Sequence, residues 1–181
     1  TLKFTDNGLG MTADEVEEYI TQIAFSGATE FLEKYKDKTT EDDMIGHFGL
    51  GFYSAFMVAK DVRVITKKAG SDEAYEWVSA GEDGYEITPC TKETNGTTIV
   101  LTLKEDTDEE NYSKYLETYE LKELIKKYSD YIRYPIKMNV ETQKMKEGTE
   151  ESEKPEYETV VEDQTLNSMV PLWKRQKSKI T

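Results

Sequence analysis

The chain of 181 residues is short of several things that would declare a function outright. It has one cysteine, Cys90, which excludes an internal disulfide framework and any cysteine-rich zinc site. It has one histidine, His47, with no nucleophile placed beside it in sequence to make it a catalytic base. Basic residues are outnumbered, 23 Lys and Arg against 37 Asp and Glu, for a net charge of −14. A general nucleic-acid binder needs the opposite footprint, so no nucleic-acid partner is expected. No apolar run approaches the roughly 20 residues that span a bilayer, and no signal peptide is visible. No membrane partner follows, and a reducing, cytoplasmic setting is the expectation.

With 36% hydrophobic and 33% charged residues, the chain is long enough for one domain with a proper core and too short for two large ones. What it does have is two glycine-rich signatures. Asp6-Asn7-Gly8-Leu9-Gly10-Met11 follows the extended run Leu2-Lys3-Phe4-Thr5. Gly46-His47-Phe48-Gly49-Leu50-Gly51-Phe52 leads into the helical-looking Tyr53 to Val58. One cluster offers a carboxylate at a strand end, the other a flexible backbone opening a helix. Together they suit a nucleotide, with Asp6 accepting from a base amino group while backbone N–H groups and a helix dipole hold phosphates. Asp6 has a second reading, an Asx-turn in which it bonds only its own backbone.

Local patterns place the elements. Thr12-Ala13-Asp14-Glu15 is a capping box opening an amphipathic helix over about 12–25, with Val16, Tyr19, Ile20, Ile23 and Ala24 at helical spacing. Strands are expected at 62–67, 74–79, 85–88 and 97–103, with turns at 81–84 and 93–96. Alternation puts Thr97 on the face of Ile99, Leu101 and Leu103. Leu121, Leu124, Ile125, Tyr128 and Ile132 mark another helix, ended by Pro135, before a strand at 136–142. The stretch 144–158, with six glutamates, reads as an acidic loop or linker. Ser26 to Met44 is polar and charge-mixed between Gly27 and Gly46; it reads as a swinging lid or as a long surface loop. Leu172 and Trp173 are expected packing residues.

The segment Ile45 to Phe56, with Ile23-Ala24-Phe25-Ser26-Gly27-Ala28, Gly96 to Glu105 and Pro171 to Arg175, resembles the ATP-binding domain of the heat-shock protein 90 chaperones, in a bacterial version. That family sits within the wider group of gyrase, histidine-kinase and mismatch-repair ATPases. The resemblance implies an α/β (α+β) two-layer sandwich, a mostly antiparallel sheet with helices on one face. It implies ATP or ADP with Mg²⁺ as ligands, client polypeptides as partners and a homodimer in the intact protein. It divides the chain into an ATP-binding domain over 1–143, a linker over 144–158, and 159–181 leading into the middle domain.

By the same resemblance Asp6, Gly10, Met11 and Thr97 surround the adenine. Ser26 and Gly27 belong to the lid, and Gly46, His47, Phe48, Gly49, Leu50, Gly51 and Phe52 form the phosphate side. Two positions depart from the commoner pattern: Tyr19 stands where many members have a nucleotide-facing Asn, and Phe25 where they have a Lys. The family's water-activating Glu and Mg²⁺-holding Asn fall before Thr1. Because Thr1 opens inside a strand with no initiator Met, the expectation is an N-terminally incomplete chain that alone does not hydrolyse ATP. No catalytic residue or metal ligand is assigned within it. Two other functions stay open at this stage. A sensor histidine kinase would need a phosphoacceptor His on a separate helical domain, which His47 does not supply. A nonenzymatic adenine-nucleotide sensor would need none.

Overall fold

A computed structural model describes residues 1–22, 50–81, 84–145 and 156–171. Two compact units emerge, residues 1–113 and 114–181. The division falls inside the stretch 1–143.

The first unit is built on a five-stranded antiparallel sheet. Its strands are β1 (Leu2–Thr5), β2 (Ala59–Lys67), β3 (Ala74–Ser79), β4 (Tyr85–Cys90) and β5 (Gly96–Leu103), in the order β1-β5-β2-β3-β4. In β2, side chains alternate between the faces as pleating requires. Val62, Val64 and Thr66 are all but fully buried, while Arg63 points to the other face and donates to Glu76 of β3 at 2.9 Å. Register then fixes who meets whom. Leu101, Ile99 and Thr97 of β5 stand opposite Val62, Val64 and Thr66, so Thr97 lies on the core face as alternation predicts. The apolar row ends there in a pair of threonines.

Helix α1 (Ala13–Thr21) covers this face, burying Val16. Its capping box forms as read: the Glu15 N–H donates to Thr12 Oγ1 at 3.3 Å, and the Thr12 N–H to Glu15 Oε2 at 2.8 Å. The helix stops at Thr21, before the expected 25, with Gln22 already extended. The Thr21 hydroxyl bonds back to the Glu17 carbonyl, a side-chain contact that competes with helix continuation. Residues 23–25 lie outside the described residues.

Beside α1, Phe52–Met57 forms a 3₁₀ helix that presents Phe52, Ala55 and Phe56 to the core cluster of Val16, Ala59, Val62, Val64, Trp77 and Leu101. Phe52 and Phe56 both meet the Trp77 ring edge-on, at 5.6 and 6.5 Å between centroids. The expected two-layer α+β arrangement, helices on one face of an antiparallel sheet, is therefore present in this unit. Strand β4 runs two residues beyond its expected end, through Pro89. Proline is tolerated because β4 is an edge strand.

The second unit holds helix α2 (Thr118–Tyr128) and the hairpin of β6 (Lys137–Met145) with β7 (Tyr157–Thr165). The helix begins three residues earlier than its apolar stripe and ends at Tyr128, well short of Pro135. What ends it is tertiary: the chain after it is held by two buried polar side chains. Asn167 takes the Ile136 N–H at 2.8 Å and donates to the Ile132 and Tyr134 carbonyls, both at 2.9 Å. Asp130 accepts from Lys126, from the Ser168 N–H and from the Ser168 hydroxyl. The hairpin carries regular pairing into both ends of the stretch 144–158. Lys144 faces Glu158 and Met145 faces Tyr157, and residues 146–155 lie outside the described residues. Strand β7 escaped the sequence reading because Val160 and Val161 are adjacent rather than alternating, among seven polar or aromatic neighbours.

Candidate functional site

The loop from Asp6 to Met11 leaves β1 and crosses the end of the β2–β5 pair, where the apolar face gives way to Thr66 and Thr97. It is fastened at four of its six residues. The Asp6 N–H donates to the Thr97 carbonyl at 2.8 Å, and Asn95 Nδ2 donates to the Gly8 carbonyl at 2.7 Å. The Ala69 N–H reaches the Leu9 carbonyl at 2.7 Å, and the Met11 N–H reaches Thr66 Oγ1 at 2.9 Å. The backbone therefore lies directly on the strands. Two glycines permit this. Gly10 sits at φ +65°, and a Cβ there would stand 1.9 Å from the Lys67 carbonyl oxygen. Gly96 sits at φ +108°, where a Cβ would stand 2.3 Å from the Asp6 carbonyl oxygen. Both are sterically obliged to be glycine.

Asp6 forms the Asx-turn and adds a second, long-range bond. Oδ1 accepts from the Gly8 N–H at 2.8 Å, which is the Asx-turn, and also from the Thr97 N–H at 3.1 Å. Those two bonds fix the carboxylate plane against β5. Oδ2 accepts from none of the described residues, and Asp6 is exposed. The result is an oriented acceptor beside a half-buried Thr97 hydroxyl.

Met11 packs against the core cluster, as an apolar wall requires. Glu15, one turn into α1, pairs with Lys68 of the chain leaving β2. Burial works to raise its carboxyl, but the Lys68 ammonium and the Thr12 N–H outweigh this and hold it below the ordinary range. Lys68 is thereby committed to a carboxylate at this end of the sheet.

Of the second signature, Leu50, Gly51 and Phe52 are described; Ser26, Gly27, Gly46, His47, Phe48, Gly49 and Phe25 lie outside the described residues, as do Leu172 and Trp173. The helical stretch expected after the glycines is a six-residue 3₁₀ helix. Its first-turn N–H groups are turned inward, Tyr53 onto the Leu50 carbonyl at 3.2 Å and Ser54 onto the Gly51 carbonyl at 3.3 Å. So short an element carries little macrodipole. The Tyr53 hydroxyl donates to the Ile20 carbonyl at 2.5 Å, tying this turn to the end of α1; burial raises its pKa. Gly51 has an ordinary helical φ of −59°, and a Cβ there would meet nothing within 4 Å. Among the described residues nothing demands a glycine at 51. Phe52 packs on the core rather than standing free.

Thr66, Asn95 and Gly96 act here without having been singled out as site residues. Thr66 was legible in principle: it is the polar third member of the row Val62, Val64, Thr66. Among the described residues no cluster of metal-ligating side chains occurs, and no helix is long and apolar enough to cross a membrane.

Comparison with known proteins agrees with the resemblance read from the glycine signatures. Residues 114–170 match the model of the Hsp90 protein family. The chain is 54% identical over 180 residues to Chaperone protein HtpG of Bacillus licheniformis, a match covering 99% of this chain and 28% of that protein. It is 52% identical over 181 residues to the Bacillus subtilis protein of the same name, covering 100% and 28%. The Alkaliphilus metalliredigens protein is 54% identical over 180 residues, at 99% and 28%. The chain thus spans a little over a quarter of the length of these relatives. Residues 1–92, more than half of the chain and including the loop from Asp6 to Met11, Thr66 and Gly51, match the histidine kinase-, DNA gyrase B- and HSP90-like ATPases, and the chain belongs to that family.

Proposed function

We propose that this chain is the ATP-binding region of a heat-shock protein 90-type chaperone, in which binding and hydrolysis of ATP are coupled to the folding of client polypeptides. The observation that carries the reading is the Asp6 carboxylate. One oxygen is held by two backbone N–H groups and the other accepts from none of the described residues, at the edge of an apolar face lined by Met11. An acceptor held in that way suits an adenine amino group, whereas guanine presents a carbonyl at the same position and would be repelled. The Thr97 hydroxyl stands beside it, and Gly10 keeps the loop flat on the strands. The open side of Gly51 suits a close approach by the rest of the nucleotide, with Leu50 and Phe52 flanking it. Ser26, Gly27, Gly46, His47, Phe48 and Gly49 complete the site in this reading.

Mg²⁺ would neutralise the phosphates in the intact protein, which we take to be a cytoplasmic homodimer. The water-activating base is assigned to none of the residues here. Mg²⁺-dependent ATP turnover by the intact protein checks the enzymatic part.

The binding part is tested at Asp6. In Asp6→Asn the amide oxygen can keep both backbone bonds, while the amide N–H₂ replaces the open acceptor with a donor. The variant is expected to fold normally and to lose ADP affinity by about 10- to 100-fold, the equivalent of one polar contact turned from favourable to unsatisfied. Unchanged ADP affinity by calorimetry in a folded variant overturns the assignment.

A further inference from the structure

We propose that Thr66 is a positioning residue that sets the hydrogen-bond polarity of the base site, by forcing the Thr97 hydroxyl to act as a donor toward the ligand. The inference rests on the adenine-nucleotide reading above and assigns a specificity role to a residue that is fully buried. Position 66 continues the inward row of Val62 and Val64, and it is as completely buried as they are. A valine would suit the packing. A hydroxyl in that place is costly unless it is bonded, and Thr66 makes three contacts. Its Oγ1 lies 2.9 Å from the Met11 nitrogen, 3.1 Å from Thr97 Oγ1 and 3.4 Å from the Gly96 carbonyl oxygen.

Proton counting gives these contacts a direction. A backbone N–H only donates, so the bond from Met11 fixes Thr66 as an acceptor on that side. The Thr66 hydroxyl has a single proton of its own, and of its two acceptors Thr97 is the nearer. The Gly96 carbonyl, at 3.4 Å, is at the outer limit of a hydrogen bond, so the geometry favours Thr97 at 3.1 Å as the acceptor and leaves the Thr97 proton to point away from Thr66. The chain of donation runs from the Met11 N–H through Thr66 to Thr97 and outward. Each link strengthens the next.

At the outer end, Asp6 and Thr97 are bound to one another through the Thr97 N–H and Asp6 Oδ1. Together they present a carboxylate acceptor beside a hydroxyl donor. The pairing edge of adenine offers an amino donor beside a ring-nitrogen acceptor, which matches that order directly or through a bridging water. Guanine offers a carbonyl beside a ring N–H and mismatches at both points. Without Thr66, the Thr97 hydroxyl is no longer held as a donor toward adenine, while guanine stays mismatched at Asp6.

The test uses the intact protein and measures ADP and GDP affinities by calorimetry. Thr66→Val keeps the volume and removes the relay. It is expected to weaken ADP about tenfold while leaving GDP unchanged, so that the preference for ADP falls about tenfold. Thr66→Ser should restore the preference. In a Thr97→Val background the second substitution, Thr66→Val, should change the ADP to GDP ratio no further, because the residue through which it acts is gone. An unchanged ratio in Thr66→Val, even with both affinities reduced, overturns the proposal and leaves Thr66 a packing residue. Should the valine variant not fold, Thr66→Cys, with similar volume and a weaker donor, is read by the same ratio. Failure of the unmodified protein to bind ADP would sink the nucleotide reading itself. Loss of ADP binding in Asp6→Asn alongside an unchanged ratio in Thr66→Val would sink only the relay.

Discussion

Asp6 in the first unit and the pair Asp130 and Asn167 in the second do similar work with different completeness. Each is a short polar side chain that gathers backbone groups from a distant part of the chain. Asn167 is 5% exposed, and it uses its carbonyl oxygen and amide group on three backbone partners. Asp130 is 8% exposed, and both its oxygens accept hydrogen bonds. Asp6 gathers two N–H groups with one oxygen and leaves the second outward. A buried latch must be saturated, since each unpaired polar group there costs about 1–3 kcal/mol. An exposed carboxylate that is half saturated and held in one orientation is instead equipped to meet something else.

The glycines repeat the contrast. Gly10 answers to a carbonyl of its own chain, Gly51 to nothing among the described residues.

The comparison breaks most visibly at Gly10. Gly10→Ala sets a Cβ against a backbone oxygen at a positive φ, and neither can move without lifting the loop from β2. A loss of about 3 kcal/mol or more is expected in denaturant unfolding. A melting curve like that of the unmodified protein would mean the loop does not lie on the strand as described. Next in size is Asn167→Ala, which strands three backbone groups at once and should cost about 2–4 kcal/mol. Hydrogen exchange at Ile136 reads it locally; protection equal to the unmodified protein would show that Asn167 is no latch.

The Asp130 latch also carries a pH signature. Burial alone would raise its carboxyl, but Lys126, the Ser168 hydroxyl and the Ser168 N–H hold it well below the usual carboxylate range. A folded-state value below the unfolded one means stability that is full above about pH 4 and is lost as pH falls further. Asp130→Asn should therefore be less stable at pH 7 by about 1–3 kcal/mol, and its stability should fall less steeply in acid. Parallel acid-unfolding curves for the two proteins would remove Asp130 from that role. The smallest effect on stability belongs to Gly51→Ala. With an ordinary φ and free space for the methyl, stability should hold or rise by about 0.4–1 kcal/mol, while ADP affinity falls several-fold. Unchanged affinity would place the ligand elsewhere.

Much of the fold was legible from residues close together in the chain. The capping box at Thr12 and Glu15, the alternation of β2 and β5 and the glycine turns are all decided over a few residues, where one period or one hydrogen bond is enough. The family resemblance likewise rested on unbroken stretches such as Ile45 to Phe56. Element ends were less legible. A stripe of leucines marks the middle of α2 but not where it stops, because Asn167 and Asp130 settle that from elsewhere in the chain. The 3₁₀ form of Phe52–Met57 was hidden for a similar reason, since its aromatic rings adapt to Trp77 and its Tyr53 hydroxyl to the end of α1.

By itself, then, the amino-acid order determined the alternating faces, the capped start of α1 and the presence of a carboxylate just ahead of two glycines. It left open which partners hold that carboxylate. That depends on Thr97 lying 91 positions away and on Thr66 lying 55 positions from Met11. Such partners are chosen only when antiparallel register sets Thr66 opposite Thr97. A hydrogen bond needs its two atoms within about 3 Å, and over separations of that length only the assembled sheet brings them so close.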